Sequence, residues 1–502
     1  MKHFALYSIA AIAIGCTAIQ PNEPQSVQQE VITISAYRAD EQQPETKTQR
    51  DESDGSVWWT PGDAISLFYG SGSEGGNRFV STSVAPSKVT NFTGTIGVIT
   101  GGADVSVEDT YFWGLYPYDA AASCDGSSVI TTLPNTQVAT PSTFAPNLFP
   151  SLGRSQGLSM GFYNICGGVR FTVTKEGLKK VTLKAIGGES LTGRARIGFE
   201  NGIPTVLEIT DGSDEVTITA PDGEYLEVGK YYYFITFPQA LSQGIRMKFE
   251  SFTEEGTYER LTTSLTIKRS IFGTLNNVDQ NVVYAQKTGN IPIEDSNFKI
   301  YLVENFDTDT DGEISYEEAT SVTSISFNYN EKHIASVKGI EYFPNLEVIE
   351  ILADFLSFRL PNFFLGKDET LEECLADARI YIDDIKSRYE YFSMEGILSF
   401  TANKKLKRII IHDGLSLEGI DVSNCPDLEY LSCSNSFTTT HSTVDITHNT
   451  KLNTLALSHC LLTGTLDLSK CPDLTVFSSW SNFFSEIIFG EISNLKRLDI
   501  VA

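Results

Sequence analysis

Residues 307–318 read Asp-Thr-Asp-Thr-Asp-Gly-Glu-Ile-Ser-Tyr-Glu-Glu. This spacing matches a twelve-residue calcium loop. Asp307, Asp309 and Asp311 hold positions 1, 3 and 5, and Gly312 at position 6 permits the sharp turn. Glu313 at position 7 would offer its backbone carbonyl, Ser315 at position 9 acts through water, and Glu318 at position 12 can bind with both oxygens. Carboxylates this close repel one another without a cation among them. Ca2+ with its oxygen-rich, flexible shell satisfies them better than Mg2+, which demands a tight octahedron. Phe298 to Asn305 reads as the entering helix. There is a single such loop and only four Met in the chain, so the Met-rich groove of a paired sensor is not on offer. The expected role of Ca2+ is structural, a clip near the middle of the chain.

Other strings with chemical potential lack their context. Gly153-Arg-Ser155-Gln-Gly157 matches a nucleophile elbow but lies in a loop of a β-rich region, without the strand–turn–helix it needs. Gly70-Ser-Gly72-Ser-Glu-Gly75 follows a strand, yet no helix opens after it. His412, His441, His448 and His459 show no zinc-type spacing. No catalytic pair of carboxylates stands out among 64 acids, and an enzyme is not expected.

The elements around the loop divide sharply. After it, a repeat of the form L-x-x-L-x-L-x-x-N/C recurs, complete in Leu452, Leu455, Leu457 and Cys460. Its copies begin at 322, 346, 406, 428, 452, 474 and 495, with steps of 24, 60, 22, 24, 22 and 21. A second motif interleaves: Ile420-Asp-Val-Ser-Asn-Cys425, Val444-Asp-Ile-Thr-His-Asn449 and Leu466-Asp-Leu-Ser-Lys-Cys471. Cys425, Asn449 and Cys471 thus occupy equivalent turns, pointing inward to bond neighbouring backbone groups in preference to forming disulfides or binding metal. The 60-residue step marks an insertion near 355–404, helical over 367–391. Between the inward leucines, Arg408, His412, Tyr430, His459, Val476 and Trp480 should point outward. Trp, Tyr and Arg are enriched at binding hot spots, so this face is the expected ligand-binding surface.

Before the loop, short alternating runs such as Ala64–Tyr69, Gly168–Val173, Lys180–Ala185 and Tyr231–Phe237 alternate with Gly, Asp, Asn and Pro turns. This reads as β-sandwich. Trp59-Thr-Pro-Gly62-Asp63-Ala-Ile65, Tyr111-Phe-Trp113-Gly-Leu-Tyr116-Pro117-Tyr118, Met160-Gly-Phe162-Tyr-Asn164 and Leu191-Thr-Gly193 occur in that order. Together they resemble the fimbrillin-like lipoproteins of Bacteroidales over roughly residues 30–285. The resemblance implies two transthyretin-like β-sandwich lobes and a role as adhesin or pilus subunit. In the pilins of that family a cut after an Arg removes the first strand, and a neighbour donates a replacement; Arg50 (or Arg38) stands where such a cut would fall. The repeats, with Val337-Lys-Gly-Ile-Glu-Tyr-Phe-Pro-Asn-Leu346, resemble surface leucine-rich proteins of the same bacterial group.

The chain opens MKHFALYSIAAIAIGC. Its apolar run is too short to span a bilayer and fits an export signal. Ala13-Ile14-Gly15-Cys16 resembles a lipoprotein lipobox, which implies a lipidated Cys16 and an outer-membrane or cell-surface location. Of the other cysteines, Cys124–Cys166 is a possible disulfide. A net charge of −27 argues against nucleic acid and against basic docking on anionic lipid.

The expected architecture is multidomain: an all-β N-terminal half followed by an α/β leucine-rich repeat solenoid. The divisions are 1–16 signal peptide, 17–55 tether and first strand, 56–150 first lobe, 151–285 second lobe, 286–320 linker and calcium loop, and 321–502 repeats. The expected function is a surface adhesin or partner-binding lipoprotein, taking a protein or host-surface ligand on the repeats. Two alternatives remain open: a fimbrial tip subunit that polymerises after cleavage near Arg50, and a glycan-capture protein.

Overall fold

The computed structural model describes residues 28–39, 58–69, 73–74, 76–98, 111–328, 332–352, 394–412, 416–434, 444–491 and 493–501. Cys16, Arg50, His441 and the expected helix at 367–391 lie outside the described residues.

The chain is a mostly β multidomain protein with a parallel-strand sheet in its C-terminal half. Its N-terminal strands differ from the β-sandwich lobe expected for 56–150. They close a seven-stranded barrel in the order Gln28–Arg38, Ser159–Asn164, Ser151–Ser155, Phe112–Tyr116, Ala64–Tyr69, Asn77–Ser81 and Val89–Val98. The closing piece is Gln28–Arg38. It pairs antiparallel with Val89–Val98 along ten residues and parallel with Ser159–Asn164 through Ser35 to Arg38. The segment expected to be mostly tether therefore contributes an eleven-residue strand to the core. Trp59 fills the barrel, edge-on to Phe92, Tyr116 and Phe162 at 5.0, 5.3 and 5.4 Å. Gly114 and Gly153 pair across adjacent strands to make room for Met160, since a Cβ on either would come within 2.6 Å of that side chain. Ser155 accordingly ends an antiparallel strand that turns into Ser159–Asn164, with no helix after it.

The expected division at 150/151 does not follow the sheets. Ser151–Ser155 and Ser159–Asn164 belong to the barrel, while Thr136–Thr140 joins the sheet of Glu215–Thr219, Lys180–Ala185 and Gly244–Glu250. Ser123–Cys124 and Val129–Leu133 likewise join Thr192–Glu200 and Ile203–Ser213. Hydrophobic pairing with later strands outweighs sequence proximity here. A three-stranded sheet of Tyr232–Thr236, Gly167–Phe171 and Phe272–Leu275 lies between two cores. Phe171 and Phe234 pack on Val181, Leu183 and Phe249; Tyr233 and Ile235 pack the opposite way, on Trp113, Phe149 and Ile197. Every residue of Tyr232–Thr236 is consequently buried. Cys124 and Cys166 are buried free thiols, with no disulfide between them.

From Ser324 onward the chain winds as a solenoid. Seven strands form one wholly parallel sheet: Ser324–Asn328, Val348–Leu352, Arg408–His412, Tyr430–Ser434, Thr454–Ser458, Val476–Trp480 and Arg497–Val501. Leu452, Leu455, Leu457 and Cys460 are fully buried, as the repeat demands. The turns on the returning side carry the expected ladder of side chains, and it is one rung longer. Asn403 donates to the carbonyls of Ile340 and Phe343, Cys425 to Phe400, Asn449 to Val422 and Cys425, and Cys471 to Asn449. Residues 394–404, expected within the insertion, belong to this winding instead: Glu395–Ser399 pairs with Ser416–Asp421, and Met394 and Phe400 are buried.

Candidate functional site

The calcium-type loop lies between two helices, α1 (Ser296–Phe306) and α2 (Tyr316–Ser321). Asp295 caps α1 by accepting from the N–H groups of Asn297 and Phe298, while its other oxygen accepts from Ala335 and Ser336. One carboxylate thus starts the helix and holds a turn of the first repeat. Phe298 and Leu302 are fully buried in the solenoid core, and the Tyr301 hydroxyl donates to the Ser326 carbonyl at 2.8 Å. The helix–loop–helix therefore covers the end of the solenoid where Ser324–Asn328 is the edge strand.

Within the loop, Asp307, Asp309 and Asp311 each present a carboxylate oxygen within 4.8 Å of the others. The backbone is wrapped around them. Asp307 accepts from Thr310 at 2.6 Å and from Gly312 at 2.9 Å, Asp309 from Asp311, and Asp311 from Glu313. Thr310 and Gly312 take φ of 64° and 82°; the glycine adopts this without the strain a side chain would add. Asp309 shows the electrostatic consequence. The Asp311 N–H pulls its pKa down, but partial desolvation and the charges of Asp311, Glu318 and Asp307 outweigh that bond and hold it above the ordinary value. A bound cation would reverse this.

The remaining three expected ligands are placed differently. Glu313 is paired with Lys299 through its side chain, which leaves its carbonyl as the group in question. Ser315 is the N-cap of α2 and forms a capping box with Glu318. Both Glu318 oxygens are engaged: Oε1 accepts from the N–H and hydroxyl of Thr308, Oε2 from those of Ser315. Burial raises the Glu318 carboxyl, but these four bonds win and hold it at about 2. Glu318 thus ties the start of the loop to its end, and the three aspartates are brought together without it.

The loop also grips the expected linker. Ile291 donates to Ile314 at 2.8 Å, Tyr316 donates to Gly289 at 3.0 Å, and the Gln286 amide reaches the Tyr316 carbonyl and the Thr320 hydroxyl. Tyr342 stacks edge-on against both Tyr316 and Phe252, at 5.8 and 5.4 Å. Loop, second β lobe and first repeat thus share one junction.

On the solenoid sheet, Arg408, Tyr430, Thr454 and Val476 lie in one register row, and His412, Ser434, Ser458 and Trp480 in another. The Arg408 guanidinium lies 4.0 Å from the Tyr430 ring centre and 3.3 Å from Glu350. His412 is 3.2 Å from the Ser432 hydroxyl. Trp480 is 44% exposed, unusual for a side chain of this size on a polar strand face. His459 is not on this face: it follows the strand Thr454–Ser458 with φ of 53° and donates its N–H to the Trp480 carbonyl. Glu350 and the rung Asn403 were missed in the sequence. Asn403 stands 22 residues before Cys425, so extending the turn period backwards would have found it.

No protein-family model matches the chain. No curated protein matches it either. Among solved structures, a candidate cell adhesion protein from Bacteroides uniformis is 15% identical, covering 51% of this chain and 97% of its own, with a TM-score of 0.29. A candidate cell adhesion protein from Bacteroides ovatus is 12% identical over 52% of this chain and 97% of its own, also at 0.29. The functional domain of InlJ from Listeria monocytogenes, which includes a cysteine ladder, is 20% identical over 42% of this chain and 47% of its own, at 0.22.

Proposed function

We propose that this chain is an exported, surface-anchored binding protein that takes a protein ligand on the parallel sheet of its solenoid. The observation that carries the reading is the strand face that Arg408, Tyr430 and Trp480 share on that sheet, with Trp480 44% exposed. A rigid, regular backbone presents these side chains at little entropic cost, and Trp, Tyr and Arg contribute most per residue at interfaces. The fimbrillin-like lobes act as the base, and lipidation at Cys16 holds it at the outer membrane. Ca2+ among Asp307, Asp309 and Asp311 fixes the junction between base and solenoid. The cluster of carboxylate oxygens and the raised Asp309 carboxyl support this role.

The test is adhesion of beads coated with the mature chain to host epithelial surfaces. The combined Arg408→Ala, Tyr430→Ala and Trp480→Ala variant should lose more than about tenfold in adhesion. Undiminished adhesion would move the binding surface elsewhere.

A second reading, a fimbrial subunit, is favoured by the position of Gln28–Arg38. This strand alone bridges the two edges of the barrel, so its removal would expose the unpaired backbone of Val89–Val98 and Ser159–Asn164 to a replacement strand. Arg38 itself is only 8% exposed, with its guanidinium 3.8 Å from the Trp59 ring centre and bonded to Ser151. Arg50 is therefore the better cleavage point. N-terminal sequencing of the protein from its native cells separates the readings: a Cys16 start supports the anchored protein, an Asp51 start the subunit.

A further inference from the structure

A cleft of about 500 Å³ lies where the second β lobe meets the first repeats. Its β wall carries Lys180, Glu250, Phe252 and Lys287, and its solenoid wall Tyr342 and Thr401. Glu250, with 11% of its side chain exposed, is ringed by three ammonium groups: Lys248 at 3.4 Å, Lys287 at 3.5 Å and Lys180 at 3.7 Å. All three separations exceed the roughly 2.7–2.9 Å of a charge-assisted hydrogen bond. Lys248 has a second carboxylate, Glu255, at 2.7 Å. Lys180 and Lys287 share Glu250 alone among the ion pairs of the described residues. Lys287 is also mostly covered, and burial pushes its ammonium pKa down despite Glu250.

Asp222 and Glu341 act on Lys179, whose ammonium donates to the Pro221 carbonyl, and Lys338 pairs with Glu294 at 2.8 Å. Lys180, Lys248 and Lys287 thus share two carboxylates, Glu250 and Glu255, which leaves an excess of one positive charge on this wall of the cleft, in a chain whose net charge is −27. Beside it stands the Phe252–Tyr342 aromatic pair, and on the facing wall the hydroxyls of Ser399 and Thr401 lie 3.2 Å apart. An anion site, an aromatic wall and hydroxyl partners in one cleft are complementary to a ligand with a carboxylate, an apolar ring face and several hydroxyls.

We propose that this cleft binds an anionic saccharide, with a hexuronate carboxylate seated against Lys180 and Lys287, its ring against Phe252 and its hydroxyls against Ser399 and Thr401. The proposal is independent of the protein-ligand reading of the solenoid face, which uses none of these residues.

The experiment is calorimetric titration of the full mature chain at low salt with digalacturonate, with neutral galactobiose and with inorganic sulfate. Digalacturonate should bind one site per chain, at least about tenfold more tightly than galactobiose or sulfate. Lys180→Gln changes a side chain that is 44% exposed, so the fold should survive, and it should weaken binding by at least about tenfold. Lys287→Gln should weaken it similarly, and Trp480→Ala should leave it unchanged. No saturable binding of digalacturonate, equal binding of galactobiose, equal binding of sulfate, or an unaltered Lys180→Gln titration would each overturn the proposal.

Discussion

Replacing Asn449 by Ala tests the physical account of the solenoid. Asn449 is fully buried, and its Nδ2 donates to the carbonyls of Val422 and Cys425, both at 2.9 Å. These carbonyls belong to the preceding turn, so the side chain stitches two windings together. Alanine would leave each carbonyl with one donor, the Cys425 N–H on Val422 and the Leu428 N–H on Cys425, so two hydrogen bonds are lost at about 0.5–1.5 kcal/mol each, about 1–3 kcal/mol in total. The Asn449 Oδ1 has no hydrogen-bond partner among the described residues, so alanine also removes a buried unpaired acceptor, which offsets part of that loss. Cys471→Ala provides the comparison. Its Sγ lies 3.7 and 3.9 Å from the Asn449 and Ile446 carbonyls, a weak donor, and removing it should cost about 1–2 kcal/mol, mostly as cavity. Asn449→Cys imitates the neighbouring rungs and should fall between wild type and Asn449→Ala. The assay is urea unfolding followed by the fluorescence of Trp480, the single Trp after residue 113. A loss below about 1 kcal/mol for Asn449→Ala, or a larger loss for Cys471→Ala, would refute the ladder argument.

Other outcomes follow from the same structure. Calcium at 100 times its dissociation constant should stabilise the solenoid by about 2.7 kcal/mol in calorimetry, and Asp307→Asn should abolish the increment. In calcium-free buffer, the depressed Glu318 carboxyl contributes stability that is complete above the ordinary Glu pKa of about 4.3 and is lost as pH falls through about 2. Glu318→Gln should flatten that part of an acid-unfolding curve. Burial pushes the Cys425 thiol up to about 12 and the Cys471 thiol up to about 11, so neither should react with a thiol reagent at pH 8 until urea is added.

The solenoid was legible because its residues repeat. A period of 21–24 residues, broken once by the 60-residue step, puts Ile325, Ile349, Ile409, Leu431, Leu455 and Phe477 in one inward register, and the strand pairing follows that register directly. The tight turn that gathers Asp307, Asp309 and Asp311 was legible for the same reason, since fixed spacing encodes it. Glu318 was read as a ligand because position 12 usually is one. Its place at the third position of α2 also makes it a capping-box partner, and that local bond holds it in the structure. The N-terminal half was harder. Alternating strands reveal which face is buried but not which strand is the neighbour, and Gln28–Arg38 closes a barrel through a parallel pairing with residues more than a hundred positions away. His459 was misplaced by one residue: the strand ends at Ser458, and the positive φ that follows turns the chain away from the face.

The central claim, that the solenoid sheet takes the ligand, is tested most directly by site-specific photo-crosslinking on native cells in contact with the host surface. A photoreactive residue is placed in turn at Tyr430, Ala456 and Trp480 on the sheet, and at Thr447 and Ser469 on the returning turns. The account predicts crosslinks to one common host protein from the three sheet positions and none from the two turn positions. Equal crosslinking from both sides, or crosslinks confined to the turns, would contradict it.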